Sequence, residues 1–277
     1  MFDVVVANPP YQILKPGNKK SMAIWQKFVL GAIDVCSEGG YVCMVHPPGW
    51  REPKGNSKKV QKAMLSRQLL YLSMHGLPDG KKTFGITTAY DWYVLHNVAP
   101  TKLTTIRTRD GEVGDHDLRG AEFIPNAFIG EISRLVAKPG EEAVTMVGPT
   151  YGYGTLYEHV SSERDDIFVH PVIYICYAAG GLILKWSNTN ERGHFGVSKV
   201  LWSNGTSSVH TDPEGKYGLT QFAYAIADEP ANLESIKQAM TSDKFVKMMK
   251  ACRLNGNHKY NHRFIELFRK DFWKEFV

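Results

Sequence analysis

The chain opens on Phe2-Asp3-Val4-Val5-Val6-Ala7 and runs straight into Asn8-Pro9-Pro10-Tyr11. A short, mostly β-branched run closed by two prolines reads as a buried parallel strand that stops abruptly. Proline holds φ near about −65° and has no N–H to give a ladder, so the strand cannot continue through it. A strand apolar on both faces needs a layer packed on each, which points to an α/β sheet.

The following segments fit that grammar. From Ser21 to Ser37 the apolar positions Ile24, Phe28, Ala32 and Val35 recur at helical spacing, and Gly39-Gly40 ends the helix. Tyr41–Val45 reads as a second strand stopped by Pro47-Pro48, and a basic stretch from Arg51 to Lys59 leads into a helix reaching about Arg67. Leu69–Ser73 and Tyr90–His96 read as two more strands. Beyond Thr101 the pattern changes. The chain turns rich in Gly, Tyr, Asn and Thr, with short strands expected at Val172–Cys176, Leu182–Trp186 and Val197–Trp202 and helices at Leu233–Met240 and Asp243–Arg253. The boundary is expected near Ala99-Pro100, separating an α/β half over 1–99 from a mixed α+β domain over 100–277.

Composition narrows the function classes. The apolar share of 43% belongs to a globular chain, and a net charge of +5 raises nucleic acid as a partner without requiring it. Cys36, Cys43, Cys176 and Cys252 make no C-x-x-C pair, so neither a zinc site nor a disulfide framework is expected. No apolar run approaches the roughly 18–20 residues of a membrane span. No basic segment precedes an apolar stretch with a cleavage site, so no secretory signal is read and the expected location is the cytoplasm.

Chemistry concentrates at Asn8-Pro9-Pro10-Tyr11. An exocyclic amine on a nucleobase donates its lone pair into the ring and is a poor nucleophile. The Asn8 amide oxygen and the Pro9 carbonyl could each accept one amine hydrogen, drawing the nitrogen toward tetrahedral geometry as it attacks a methyl sulfonium. Pro9 and Pro10 hold that carbonyl rigidly, and Tyr11 offers a ring on which a rotated-out base can stack. The bland alternative is a rigid turn after a strand.

The segment Phe2–Tyr11 resembles the catalytic motif of amino-methyltransferases that act on adenine in DNA. Gly39-Gly40-Tyr41-Val42-Cys43-Met44-Val45 with Pro47-Pro48-Gly49-Trp50 looks like that family's next strand and active-site loop. Thr83-Phe84-Gly85-Ile86 looks like the motif whose aromatic ring contacts the flipped base. The resemblance implies S-adenosylmethionine as methyl donor, duplex DNA as substrate, and Phe84 and Trp50 in the target-base pocket. It implies a Rossmann-like methyltransferase sheet of which residues 1–99 form the C-terminal half.

Residues 101–277 resemble, more loosely, the recognition half of type II restriction-modification adenine methyltransferases, through Phe123-Ile124-Pro125-Asn126, Ser198-Lys199-Val200-Leu201 and the tail around Phe264. Between Lys244 and Arg263 stand Lys244, Lys247, Lys250, Arg253, Lys259 and Arg263 with no acid among them. With Lys199 they are expected to meet phosphates, positioning a duplex without reading it. A second cluster, Arg51, Lys54, Lys58, Lys59 and Lys62, follows the active-site loop and is expected to do the same. An ordinary solvated face is the alternative for both.

By the same resemblance the methyl donor is held by a strand and a G-x-G turn that normally precede the catalytic motif, and here Met1 begins the catalytic strand. Neither Gly148–Gly154 nor Ala178–Gly181 fits that turn. Residues 2–7 are therefore expected at a sheet edge, open to self-association or to a partner that brings the cofactor portion, as in a split enzyme. Two rivals stand beside this: a non-catalytic DNA-binding relic of such an enzyme, and a protein glutamine methyltransferase, whose family shares Asn-Pro-Pro-Tyr but ends soon after its catalytic sheet. A bacterial or phage source fits either DNA reading.

Overall fold

The computed structural model describes residues 1–14, 21–52, 56–148, 152–177, 181–205, 208–254 and 260–277. The chain divides into two compact units, Met1–Gly130 and Glu131–Val277.

The first unit is built on a mixed six-stranded sheet. Its strands are β1 (Phe2–Ala7), β4 (Cys36–His46), β5 (Gln68–His75), β6 (Tyr90–His96), β7 (Thr104–Arg107) and β8 (Val113–His116). Their order is β1-β4-β6-β5-β7-β8. β1 runs parallel to β4, with Val4 opposite Tyr41 and Ala7 opposite Met44, and β5 runs parallel to β7. β6 lies antiparallel between β4 and β5. A small hairpin of β2 (Gln12–Leu14) and β3 (Ser21–Ala23) follows the Asn-Pro-Pro-Tyr turn.

Three helices connect these strands: α1 (Trp25–Val35), α2 (Asn56–Leu65) and α3 (Leu77–Phe84). α1 begins four residues later than the sequence pattern suggests, because Ser21–Ala23 pair as a strand. Its inward face is Trp25, Val29, Ala32 and Ile33, while Phe28 and Val35, expected inside, are exposed. Of the four positions at helical spacing, Ala32 is buried and Ile24 half-buried. With Val60 and Met64 from α2 and Leu72, Tyr93, Leu95 and Ile106 from the strands, the inward face of α1 makes the core of the unit. Burying each such large apolar side chain contributes about 1.5–3 kcal/mol.

β7 and β8 were not legible in the sequence. They extend the first sheet, and the segment through Ile124 and Ile129 packs on its core, so the unit closes at Gly130, beyond the boundary expected near Ala99-Pro100.

β1 is an edge strand. β4 covers one side, and among the described residues no strand pairs with the other. Phe2, Val4 and Val6 are 62%, 56% and 75% exposed, so this most apolar of segments is largely uncovered. Such an edge is a template for another strand.

In the second unit, His170–Cys176 pairs antiparallel with Leu182–Ser187 and parallel with Gly218–Leu219. A second sheet sets Lys199–Ser203 between Val209–Asp212 and Ala223–Ala227, with Thr145–Val147 beyond. The helices Leu233–Thr241 and Asp243–Ala251 follow. The hydroxyl of Ser242 caps the second of these by accepting from the Phe245 N–H at 3.2 Å. Among the described residues no helix is long and apolar enough to cross a membrane.

Candidate active site

The parallel strands β1, β4, β5 and β7 all end on one side of the sheet, at Ala7, His46, His75 and Arg107, and the antiparallel β6 begins there at Tyr90. In open α/β sheets this carboxyl edge is where ligands bind. The Asn8–Tyr11 turn lies on it. Asn8 and Pro10 are exposed, Pro9 is buried, and Tyr11 is half-buried against the core. The turn is tied down by the Ile24 N–H, which donates to the Tyr11 carbonyl at 3.1 Å.

The Tyr11 hydroxyl is buried with no hydrogen-bond partner among the described residues. Burial raises its pKa above the ordinary tyrosine value, with the nearby Tyr90 acting in the same direction. Tyr90 stacks face to face on His75 at 4.4 Å and meets the edge of Phe84 at 4.9 Å. Its hydroxyl shares a 3.2 Å hydrogen bond with Thr83. Phe84 ends α3, where Gly85 takes φ +74° and turns the chain back. Gly80 lets the helix press on the next loop, since a Cβ there would stand 1.8 Å from the Thr88 carbonyl oxygen. The expected Phe84 is thus half-buried at the carboxyl edge, next to the tyrosine that lies near Tyr11.

Trp50 is elsewhere. Expected in a base pocket, it is fully buried in the core, and its Nε1 donates to Asp91 Oδ2 at 3.0 Å. Arg51, expected among the phosphate contacts, is also fully buried. Its Nε donates to Asp91 Oδ2 at 2.8 Å and its Nη2 to Asp91 Oδ1 at 3.2 Å and to Asn126 Oδ1 at 2.8 Å. Burial lowers its pKa while Asp91 opposes the shift. The reason for both corrections is one residue. Asp91 points inward from β6, and a buried carboxylate must be met by donors. Asp91 was missed in the sequence, although an acid alternating with Tyr93 and Leu95 on the inward face of a strand is a readable signal.

His46 stands beside them. It stacks on Trp25 at 4.5 Å, and its Nδ1 lies 3.0 Å from the Pro47 carbonyl. A carbonyl can only accept, so Nδ1 carries the proton and Nε2 accepts from the Tyr93 hydroxyl at 3.3 Å. Burial pushes the His46 pKa down to about 4, against the opposing pull of Pro47 and Asp91. It is a neutral core histidine.

Of the basic residues expected to face DNA, Lys58, Lys59 and Lys62 are exposed along α2, and Lys54 lies outside the described residues. In the second unit Lys244, Lys247 and Lys250 are exposed on one flank of their helix, while Phe245, Met248 and Met249 are buried on the other. Lys244 also lies over the Phe276 ring at 5.3 Å. Arg253 and Arg263 are half-buried and engaged with neighbours, and Lys259 lies outside the described residues. Lys199, expected at phosphates, is not on the surface. It is fully buried, donating to Asp212 Oδ2 at 2.6 Å and to the carbonyls of His194 and Val197 at 2.9 and 3.1 Å, so it holds loops together.

Among the described residues, no glycine turn is placed as a methyl-donor site at the motif. The glycine pair nearest the motif is engaged in strand packing, because a Cβ on Gly40 would meet the Asp3 carbonyl oxygen and Cys36 Sγ at 2.8 Å. Of Gly148–Gly154, residues 149–151 lie outside the described residues, as do 178–180 of Ala178–Gly181.

Residues 1–76 match the family model described as Eco57I restriction-modification methylase. No curated protein matches the chain. Among solved structures it is similar to the methyltransferase subunit of a type I restriction-modification system from Streptococcus thermophilus. That likeness has 14% identity and a TM-score of 0.29, over 42% of this chain and 29% of that one. The M protein of the type I restriction enzyme EcoKI is 13% identical with a TM-score of 0.30, over 38% of this chain and 24% of that one. The type IIG restriction endonuclease BpuSI is 8% identical with a TM-score of 0.38, over 99% of this chain and 48% of that one. The chain thus spans about a quarter of the type I subunits and about half of BpuSI.

Proposed function

We propose that the chain is the catalytic and DNA-recognition portion of a site-specific DNA adenine-N6 methyltransferase. It would act on an adenine flipped out of the duplex, with S-adenosylmethionine as methyl donor. The observation that carries the reading is the Asn8-Pro9-Pro10-Tyr11 turn at the carboxyl end of a parallel strand, its asparagine exposed and its tyrosine half-buried. The match of residues 1–76 to a restriction-modification methylase model supports it.

In this reading the extruded adenine stacks on Tyr11 and its amine donates to Asn8 Oδ1 and to the Pro9 carbonyl. Both acceptors act on charge that develops on nitrogen as it attacks, so their contribution belongs to the transition state. Phe84 walls the base from the far side. No side-chain base is required, since the amine proton becomes acidic once nitrogen is quaternised and leaves to solvent. The exposed lysines of α2 and of Asp243–Ala251 hold phosphates without reading sequence.

The methyl donor is supplied by a portion that pairs with the free edge of β1, either a separate polypeptide or another part of the same enzyme. The support for this is the edge itself: an apolar strand bearing the motif, with more than half of Phe2, Val4 and Val6 uncovered. The test is transfer of labelled methyl groups to duplex DNA by the chain, alone and together with a separately expressed cofactor-binding portion of an adenine methyltransferase. The expected product is N6-methyladenine, formed only in the mixture. Label recovered in protein glutamine, or in no acceptor, would overturn the proposal.

A further inference from the structure

Among the described residues, two side chains on the carboxyl edge keep polar atoms buried without a partner: the Tyr11 hydroxyl and Arg109, through its Nε and Nη2. Arg109 follows β7, and its backbone N–H donates to the Asn126 carbonyl at 3.1 Å. A buried guanidinium nitrogen that has given up water and found no acceptor is costly, and native proteins keep few of them without a function.

The neighbours do not answer it. Arg51 takes both Asp91 oxygens and the Asn126 side-chain oxygen, and its Nη1 uses the Ile124 carbonyl at 3.1 Å and Met74 Sδ at 3.2 Å. Trp50 adds a further bond to Asp91. The next acid, Asp79, accepts from the Gly76 N–H at 3.0 Å at the head of α3 and lies 3.8 Å from His75 Nδ1. Two guanidiniums therefore stand near one buried carboxylate, whose oxygens Arg51 and Trp50 already occupy. Burial, with Arg51 acting in the same direction, pushes the Arg109 pKa down to about 10 against Asp91 and Asp79, so it stays charged at neutral pH.

A planar, charged guanidinium that has unmade bonds, on a residue that is only half-buried, is suited to an oxyanion. We propose that Arg109 is an oxyanion-binding residue on the carboxyl edge. If the methyltransferase reading above holds, its ligand is a phosphodiester of the DNA strand that delivers the target base. This assigns a phosphate contact on the first unit at a residue that no basic run advertises. Arg109 follows the end of β7 on the same edge of the sheet that carries the Asn8–Tyr11 turn after β1.

The test has two arms. In the first, thermal unfolding of the full chain is followed with inorganic phosphate against chloride at equal ionic strength. Phosphate should raise the midpoint of the wild type and not that of Arg109→Gln, with Arg109→Lys between them. Without phosphate, Arg109→Gln should be at least as stable as wild type, because it removes an unsatisfied charge; a purely structural arginine would leave it less stable. That arm involves neither DNA nor methyl transfer, so it can fail or succeed apart from the proposed function. In the second arm, Arg109→Gln should weaken duplex binding and lower the slope of log K against log salt by about one. Equal phosphate effects in wild type and Arg109→Gln, or a destabilised Arg109→Gln, would overturn the site. A phosphate effect with an unchanged duplex slope would overturn its assignment to the DNA backbone.

Discussion

Replacing Asp91 by alanine isolates the strongest polar commitment of the first unit. The carboxylate and the Arg51 guanidinium are both fully buried, joined at 2.8 and 3.2 Å, and the Trp50 indole donates to the same group at 3.0 Å. Removing it strands a buried cation and an indole N–H. Breaking a buried pair from one side costs about 3–5 kcal/mol, and for a unit of this size that lowers the melting midpoint by on the order of 10 °C. Urea titration read by amide exchange in β5 and β6 confines the measurement to Met1–Gly130. The pairing can be tested against simple loss of volume with the double variant Arg51→Met/Asp91→Ala, which removes both charges. It should be more stable than Asp91→Ala alone by at least about 1 kcal/mol, since a buried ion pair is often replaced by apolar groups at little cost. An Asp91→Ala loss under about 1 kcal/mol, or a double variant as unstable as the sum of its parts, would refute the argument that Arg51 is buried for Asp91.

Acid should weaken the same unit through His46. Its folded pKa of about 4 lies below the unfolded value near 6.5, so stability is whole above about pH 6.5 and falls as pH drops toward 4. The loss amounts to about 3 kcal/mol, and His46→Phe should flatten that part of the stability–pH curve; an unchanged slope would mean the ring is accessible to protons when folded. Neutralising Lys58, Lys59 and Lys62 together should weaken duplex binding alike for all sequences and reduce its salt dependence, as should neutralising Lys244, Lys247 and Lys250, whereas unchanged affinity would make these solvated faces. Val6→Lys on the open edge of β1 should abolish self-association, or capture of a cofactor-binding portion, seen by light scattering; association that survives it must use another surface.

The sequence revealed what rests on local rules. Strand β6 falls where the sequence reads as a strand, at Tyr90–His96, and the Asn-Pro-Pro turn stops β1 because proline has no N–H to continue the ladder. The outward Lys244, Lys247 and Lys250 follow from helical spacing. Partnerships were less legible. Basic character alone placed Arg51 and Lys199 on a surface, and nothing local to either reveals that Asp91 is 40 residues away or Asp212 13 away. Helical spacing groups Phe28 and Val35 with the buried Ala32, yet the unit leaves both uncovered, which spacing cannot show. Strands β7 and β8, four residues each, are too short for periodicity to announce. Arg109 has no sequence signal at all, since its interest lies in bonds it does not make.

Asn8 carries the proposed catalysis, and its most direct test separates rate from affinity. With a cofactor-binding portion supplied, methyl incorporation into duplex DNA and duplex affinity are measured for wild type and Asn8→Ala under the same salt. Losing one preorganised acceptor for charge formed in the transition state costs roughly 3–4 kcal/mol, so turnover should fall by on the order of a hundredfold or more while affinity changes little. Full turnover in Asn8→Ala would contradict the catalytic assignment, and a loss that appears equally in affinity would make Asn8 a binding residue only.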